Sequence, residues 1–156
     1  MITDKLTTFC NGVSVAGAAG TALIGDVIDL QNLRDLGPGT PVYLVMSCET
    51  SIITGGAAGT ITFKLASDST AAIATDGSAT EHFVTGAFVT DDAALNDLDA
   101  GSKIVAVQLP HEFADTYERY LGILAVVGTT TVTAGAIDAF LTRDVSAWKA
   151  YADAVN

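Results

Sequence analysis

The residues best suited to chemistry are spread thinly along this chain. Ser14 lies in Gly12-Val-Ser-Val-Ala-Gly17, which approaches the Gly-x-Ser-x-Gly turn that presents a nucleophilic serine in hydrolases. Ala16 occupies the place of the second glycine, and no strand-to-helix pattern surrounds the motif. The available general bases, His82 and His111, have no serine or cysteine beside them. We therefore predict no catalytic residue and a protein that is not an enzyme, with a hydrolase of dispersed acids as the weaker alternative.

No metal or cofactor site is predicted either. Asp97 and Asp99 with Gly101 resemble the start of a calcium loop, but the bidentate glutamate expected further along is missing. Solvated carboxylates explain these residues better. Cys10 and Cys48 are distant, and we expect free thiols in a reducing compartment. The sequence also lacks a phosphate-binding loop, a dinucleotide fingerprint and a zinc cluster, so we expect no cofactor.

The charge balance limits the partners that the chain can bind. Seven basic and 18 acidic residues give a net charge of −11 and a pI near 4.2. Such a chain repels phosphate backbones and anionic headgroups, so we predict no nucleic-acid binding and no membrane binding. Solubility explains the acidity, and attraction to a basic partner is the functional alternative. Residues 1–6 lack the pattern of a secretory signal, and no apolar run is long enough to cross a membrane.

The elements that must position these residues are short strands. Glu118–Val127 is apolar at odd and even positions alike, which predicts a central strand with both faces buried. Val42–Cys48 has the same character, so the two strands could be sheet neighbours. Thr60–Ala66 alternates instead, which directs alternate side chains inward. The inward positions are Ile61, Phe63 and Leu65.

Further strands are predicted around Asp26–Leu30, Glu81–Thr90, Lys103–Leu109 and Ala136–Thr142. Turn signals separate them, and Ser67–Ala79 reads as a surface connection. We predict one all-β domain over residues 1–156, an antiparallel jelly-roll-like β-sandwich of about seven or eight strands. Residues 1–25, in which glycines recur at close intervals, are expected to form a mobile N-terminal arm or a short edge strand, and residues 144–156 a short C-terminal helical tail.

The two strands that are apolar on both faces, together with the C-terminal tail, carry more apolar surface than the interior of one sandwich of this length requires. Aromatic residues are enriched at interfaces, so part of this surface is expected to contact another subunit. The alternative is that the tail folds back over the outer face of the central strand. The candidate interface residues are Tyr117, Tyr120, Leu121, Ile123, Trp148 and Tyr151.

The whole chain also resembles a known family. Asp26–Leu30, Arg34–Gly37, Glu118–Leu121, Ala139–Asp144 and Trp148–Asp153 are similar to the capsid cement proteins of short-tailed bacteriophages that infect Bordetella. The similarity is strongest at the two ends and weakest between residues 67 and 101. It rests on whole-chain pattern and includes no catalytic signature.

The resemblance implies a jelly-roll homo-oligomer, a dimer, on the exterior of an icosahedral phage head. There it would bind the major capsid protein and cement neighbouring capsid subunits, after synthesis in the cytoplasm of the bacterial host. The alternative function is a carbohydrate- or ligand-binding β-sandwich module of a virion appendage.

Overall fold

A computed structural model of the chain describes residues 5–31, 41–55, 59–91, 98–109 and 116–145. These residues form one turn of 3-10 helix at Lys5–Thr7 and nine strands. The strands are β1 (Thr8–Ser14), β2 (Gly20–Asp29), β3 (Tyr43–Thr54), β4 (Thr60–Asp68), β5 (Thr80–Val84), β6 (Phe88–Val89), β7 (Lys103–Gln108), β8 (Tyr120–Gly128) and β9 (Val132–Thr142).

The strands make two antiparallel sheets. The first has the order β1-β9-β3-β7, and the second has the order β2-β8-β4-β5, with β6 also paired to β4. The all-β class and the antiparallel pairing are therefore confirmed. The predicted tail helix falls mainly on residues 146–156, which lie outside the described residues.

One hydrophobic core receives side chains from both sheets. Ile61, Phe63 and Leu65 are each at most 1% exposed, which confirms the inward face predicted from the alternation in β4. The two strands that are apolar on both faces were predicted to be sheet neighbours. This prediction is wrong, because β3 lies in the first sheet and β8 in the second. Both contribute to this core. Sequence periodicity indicates which faces are buried, but it does not specify the neighbouring strand.

The segment predicted as an N-terminal arm is largely paired instead. Residues 1–4 lie outside the described residues, while β1 pairs with β9 and the following strand, β2, pairs with β8. Both are edge strands, which was the alternative interpretation of this glycine-rich stretch. Gly25 has a φ of 70°, and a Cβ there would collide with the Phe9 carbonyl oxygen. This glycine thus permits the close approach of β2 to β1.

The outer face of β8 is covered by the chain itself. Residues 69–79, the covering loop, bring Ile73 onto this face, where it is 4% exposed and packs with Leu124 and Ala66. A Cβ on Gly122 would lie 2.6 Å from the Ile73 Cδ1 atom, so the glycine makes room for the isoleucine. Neither the C-terminal tail nor a second subunit is needed to bury this part of the strand.

Asp68, at the end of β4, holds the covering loop in place. One carboxylate oxygen accepts a hydrogen bond from the Ala74 N–H at 3.0 Å, and the other accepts one from the Thr70 N–H at 3.2 Å. The Ser69 hydroxyl also donates to this carboxylate. Led by the Ala74 bond, these contacts hold the pKa of Asp68 below its ordinary value of 3.8. The loop is therefore tied to the strand on both sides of Ile73.

Ile73→Ala should destabilise the domain by about 2–4 kcal/mol, because it removes a buried side chain from the outer face of β8. Ile53→Ala is the matched control, since Ile53 is 40% exposed and the same atoms are removed. We expect the control to cost less than about 1 kcal/mol in denaturant unfolding. Equal losses for the two variants would show that the covering loop does not bury this face in solution.

Acid should weaken the anchor of the covering loop. Because the folded pKa of Asp68 lies below the unfolded one, its contribution is present above pH 3.8 and disappears as the pH falls through the folded pKa. Asp68→Asn should therefore lower stability at neutral pH and flatten its decline in acid. Unfolding titrations from pH 7 to about pH 2 measure both effects. Parallel curves for the two proteins would contradict this role for Asp68.

Candidate functional site

The six candidate interface residues do not form one surface on the described chain. Tyr117, Leu121 and Ile123 lie in the core and are at most 2% exposed. Tyr120 is half-buried, with the guanidinium carbon of Arg119 4.9 Å from the centre of its ring. The two remaining candidates, Trp148 and Tyr151, lie outside the described residues.

The reason for this placement is the position of β8 between β2 and β4. Leu121 and Ile123 point between the sheets, while Leu124 points outward and packs against the covering loop. Each apolar face therefore has an intramolecular cover. An interface made by Leu121 or Ile123 would require the two sheets to separate. Leu121 and Ile123 are buried by the first sheet, and the covering loop closes the opposite face of β8. The single isoleucine of this loop, among small and polar residues, is the sequence feature that indicates such a cover.

A polar cluster joins β4, β5 and the segment that leads into β8. The Ser67 Oγ and His82 Nε2 atoms are 2.7 Å apart, and the same oxygen accepts a hydrogen bond from the Glu118 N–H at 3.0 Å. The Glu118 carboxylate in turn accepts a hydrogen bond from Thr80 Oγ1. The imidazole of His82 stacks on the ring of Tyr117, with centroids 3.9 Å apart. We call these five residues the Ser67 cluster.

The Ser67 cluster contains the serine and histidine pair that the linear sequence did not bring together. The separation suits a nucleophile and its base, but Ser67 has no exposed surface. A substrate carbonyl cannot reach Oγ in this conformation, and the oxygen already accepts a backbone hydrogen bond. The cluster therefore acts as a structural tie. Ser67 continues the inward alternation of Ile61, Phe63 and Leu65, and that pattern was the signal for a buried hydroxyl that needs partners.

The other residues considered for chemistry have structural contacts or lie outside the described ranges. Asp99 accepts hydrogen bonds from Ser51 Oγ at 2.6 Å and from the Ala100 N–H at 3.0 Å, within a turn. Asp97 and His111 are outside the described residues. Ser14 is exposed, and its hydroxyl accepts a hydrogen bond from the Ala16 N–H. Asp99 thus ties its turn to Ser51 of β3, and Ser14 makes a local contact at the end of β1.

Both cysteines are free thiols, as the sequence predicted, and the structure shows that both are buried. Burial raises the pKa of Cys10 to about 12, and nearby Asp138 adds to the shift. Burial likewise raises the pKa of Cys48 to about 12. Nucleophilic attack and metal binding use the thiolate, so neither side chain is activated for this chemistry. In the described ranges, no three histidine, cysteine, aspartate or glutamate side chains come together as a metal site would require.

One cleft of about 590 Å³ lies beside β1, between Asp26 of β2 and Asp138 of β9. It is the feature that favours a ligand-binding module. Two phenylalanines line it, but Phe9 and Phe140 are only 1% and 5% exposed and offer no open ring face for a sugar. The Asp138 carboxylate already accepts a hydrogen bond from the Gly12 N–H at 2.8 Å. The cleft is thus a poor carbohydrate platform.

Acidic residues outnumber basic ones in the described part of the chain, and two of the basic side chains are paired with carboxylates. Arg119 donates two hydrogen bonds to Asp29, at 2.8 and 2.9 Å, and these bonds lower the pKa of that carboxyl. Lys64 forms an ion pair with Glu81 across β4 and β5. Other carboxylates, including Glu49 and Asp91, are exposed. No described helix is long and apolar enough to cross a membrane.

Comparison with known proteins gives one family match. The model of the family described as Bbp16 matches residues 11–141, from the middle of β1 to the penultimate residue of β9. The match thus includes both sheets, the covering loop and the Ser67 cluster. No curated protein matches the chain.

Ser67→Ala should destabilise the domain by about 1–3 kcal/mol, because it leaves the partly buried Glu118 N–H and the His82 ring without their partner. The control is Ser14→Ala, which alters an exposed serine and should change stability by no more than about 0.5 kcal/mol. Thermal and denaturant unfolding measure the difference. If both variants matched the parent protein, the Ser67 cluster would not hold the strands together.

Proposed function

The chain belongs to the Bbp16 family of phage-related proteins, and from this membership we propose that it is a structural protein of the virion. It binds the outer surface of an icosahedral phage head and cements neighbouring major capsid subunits. The observation that carries the proposal is the family match over residues 11–141. The role is structural rather than catalytic, and the location is the exterior of the virion.

The strand pairing supports a jelly roll as the scaffold for this role. The pairs are nested, because β1 pairs with β9, β2 with β8, β3 with β7, and β4 with β5. A long hairpin that folds into two sheets produces this nesting, and jelly rolls are built from two four-stranded sheets. Such an architecture pairs the first and last strands at one edge of a sheet. It is suited to a rigid, compact part of a larger shell.

Rigidity matters because a cement protein must hold two capsid subunits at a fixed separation. Both faces of β8 are packed against other parts of the domain, and the Ser67 cluster adds hydrogen bonds between strands. These contacts restrict movement between the strands. A rigid protein loses less conformational entropy when it binds, so more of the contact energy remains as affinity. These features support a role in which the domain binds without refolding.

Acidic charge supplies a means of attachment to a basic partner surface. The net charge is −11, while Arg119 and Lys64 are neutralised by neighbouring carboxylates. Opposite charges on the shell would accelerate association, and salt would screen this effect. Repetition of the same contact over the shell makes a modest affinity at each site sufficient.

We also propose that the attached unit is a homodimer. The exposed Val84 and Val89, 44% and 38% exposed, belong to β5 and β6 on the side of the second sheet away from the core. The backbone edge of β5 is a further element to which a second copy could add its own strand. Sedimentation of the purified protein reports the oligomeric state on which this part of the proposal depends.

Purified protein should bind expanded phage heads that lack it, and cryo-electron microscopy should show ordered density at symmetry-related positions. The on-rate should fall as salt rises, because the acidic surface steers association. Glu49→Gln combined with Asp91→Asn should slow attachment. Lys5→Gln, which removes a charge of the opposite sign, is the matched control and should not slow it.

The same experiment tests capsid binding and electrostatic steering separately. Absence of binding by the folded protein would contradict the cement function itself. Binding with a salt-independent on-rate would retain the function and reject electrostatic steering.

A further inference from the structure

The cleft beside β1 has an acidic side chain on each of two sides. Asp26 of β2 and Asp138 of β9 line it, so each sheet contributes one carboxylate. The Cys10 thiol lines the same cleft, and its pKa is raised to about 12, chiefly by burial and then by the charges of Asp138 and Asp26. Both carboxylates therefore act on one region of the cleft, where the thiol stays protonated and adds no charge.

Both carboxylates keep acceptor atoms for a ligand. At an irregularity in the pairing of β1 with β9, the Gly12 N–H donates to the Oδ1 atom of Asp138 at 2.8 Å. Within the described part of the chain nothing donates to the Oδ2 atom of Asp138, and Asp26 forms no hydrogen bond or ion pair there. A carboxylate oxygen accepts hydrogen bonds and donates none, so these atoms require a ligand with donors.

Ser47 adds a buried polar group to the same cleft. Ser47 of β3 and Asp138 of β9 are register partners, which places their side chains on the same side of the first sheet. Ser47 is only 6% exposed and lines the cleft, yet its hydroxyl makes no hydrogen bond with the residues that the structure describes. A buried hydroxyl without a partner costs free energy, and a donor bound in the cleft would remove that cost.

We propose that this cleft binds the guanidinium group of an arginine side chain that a partner protein presents. A guanidinium carries a positive charge and N–H donors in a planar fork, with no acceptor, which suits two carboxylates and a hydroxyl oxygen. Half-buried Val13 lines the cleft and offers an apolar wall to the methylene stem. The volume of about 590 Å³ leaves room for one such side chain.

A metal ion suits the cleft less well. Calcium takes six to eight oxygen ligands, and most sites use several carboxylates. Among the described residues, no three histidine, cysteine, aspartate or glutamate side chains come together. An organic cation needs fewer ligands because its own N–H groups spread the charge over several hydrogen bonds.

The arginine contact rests on the proposed capsid role, because a basic residue of the shell would supply the side chain. It replaces a general attraction between acidic and basic surfaces with one defined contact. Lys5 also lines the cleft, and its ammonium group competes with a bound cation. It forms no ion pair with a described carboxylate, so both acids remain accessible to a ligand.

NMR titration of the full chain with the blocked peptide acetyl-Gly-Arg-Gly-amide tests the site. We expect shifts of the Asn11 and Gly12 amide signals, because both residues lie at the cleft and the Gly12 N–H is bonded to Asp138. The matched peptide with citrulline, which is neutral and has nearly the same shape, should produce no such shifts. Tighter binding of spermidine than of the arginine peptide would overturn the assignment to a protein side chain.

Asp26→Asn and Asp138→Asn should each weaken binding of the arginine peptide by about fivefold or more, because each removes a charged acceptor. An asparagine at position 138 retains an oxygen for the Gly12 N–H, so the fold should persist. Asp91→Asn is the matched control, since Asp91 is exposed and is not among the residues that line the cleft. It should leave peptide binding unchanged.

Ser47→Ala separates binding from folding. Its hydroxyl has no described partner to lose, so the variant should bind the peptide more weakly without a loss of stability. Equal binding of the arginine and citrulline peptides, or equal effects of Asp138→Asn and Asp91→Asn, would overturn the proposal. These titrations contain no phage heads, so a negative result leaves the cement function standing. A protein that binds the peptide but not the heads would contradict the cement function instead.

Discussion

Strand β8 has apolar side chains on both faces, and the domain is arranged to cover each of them. The first sheet covers the inner face, where Leu121 and Ile123 are fully buried. Ile73 of the covering loop closes over the outer face, and it fits because residue 122 is a glycine. The carboxylate of Asp68 then fixes the backbone on either side of the isoleucine. Removal of water from both faces is the main source of stabilisation for such a strand.

The hydroxyl that this arrangement buries at the end of β4 has partners of its own. Ser67 is enclosed at the end of β4, and its hydroxyl contacts both the His82 ring and the Glu118 backbone. A buried hydroxyl or amide without a partner would cost free energy, so these contacts make the burial tolerable. The same contacts occupy the serine and histidine that a catalytic interpretation would require. The short distance between the Ser67 hydroxyl and the His82 ring is therefore explained by packing.

The surface that remains is acidic and has few exposed apolar side chains among the described residues. This combination fits a protein that arrives at a larger assembly already folded and adds contacts between its subunits. Family membership connects the chain with phage proteins, and the proposed role on the capsid exterior uses the rigidity and charge described above. Affinity at each position need not be high, because the shell repeats the site.

The sequence by itself determined the all-β class, the inward face of β4 and the burial of both faces of β8. Side-chain alternation and uninterrupted apolar runs carry that information locally. Only the tertiary structure showed that β3 and β8 lie in different sheets, and that Ile73 covers β8 where a tail or second subunit was expected. It also brought Ser67 to His82 and moved Leu121 and Ile123 from a predicted interface to the core. Strand partners and covering loops depend on contacts between residues far apart in the chain, which local periodicity does not specify.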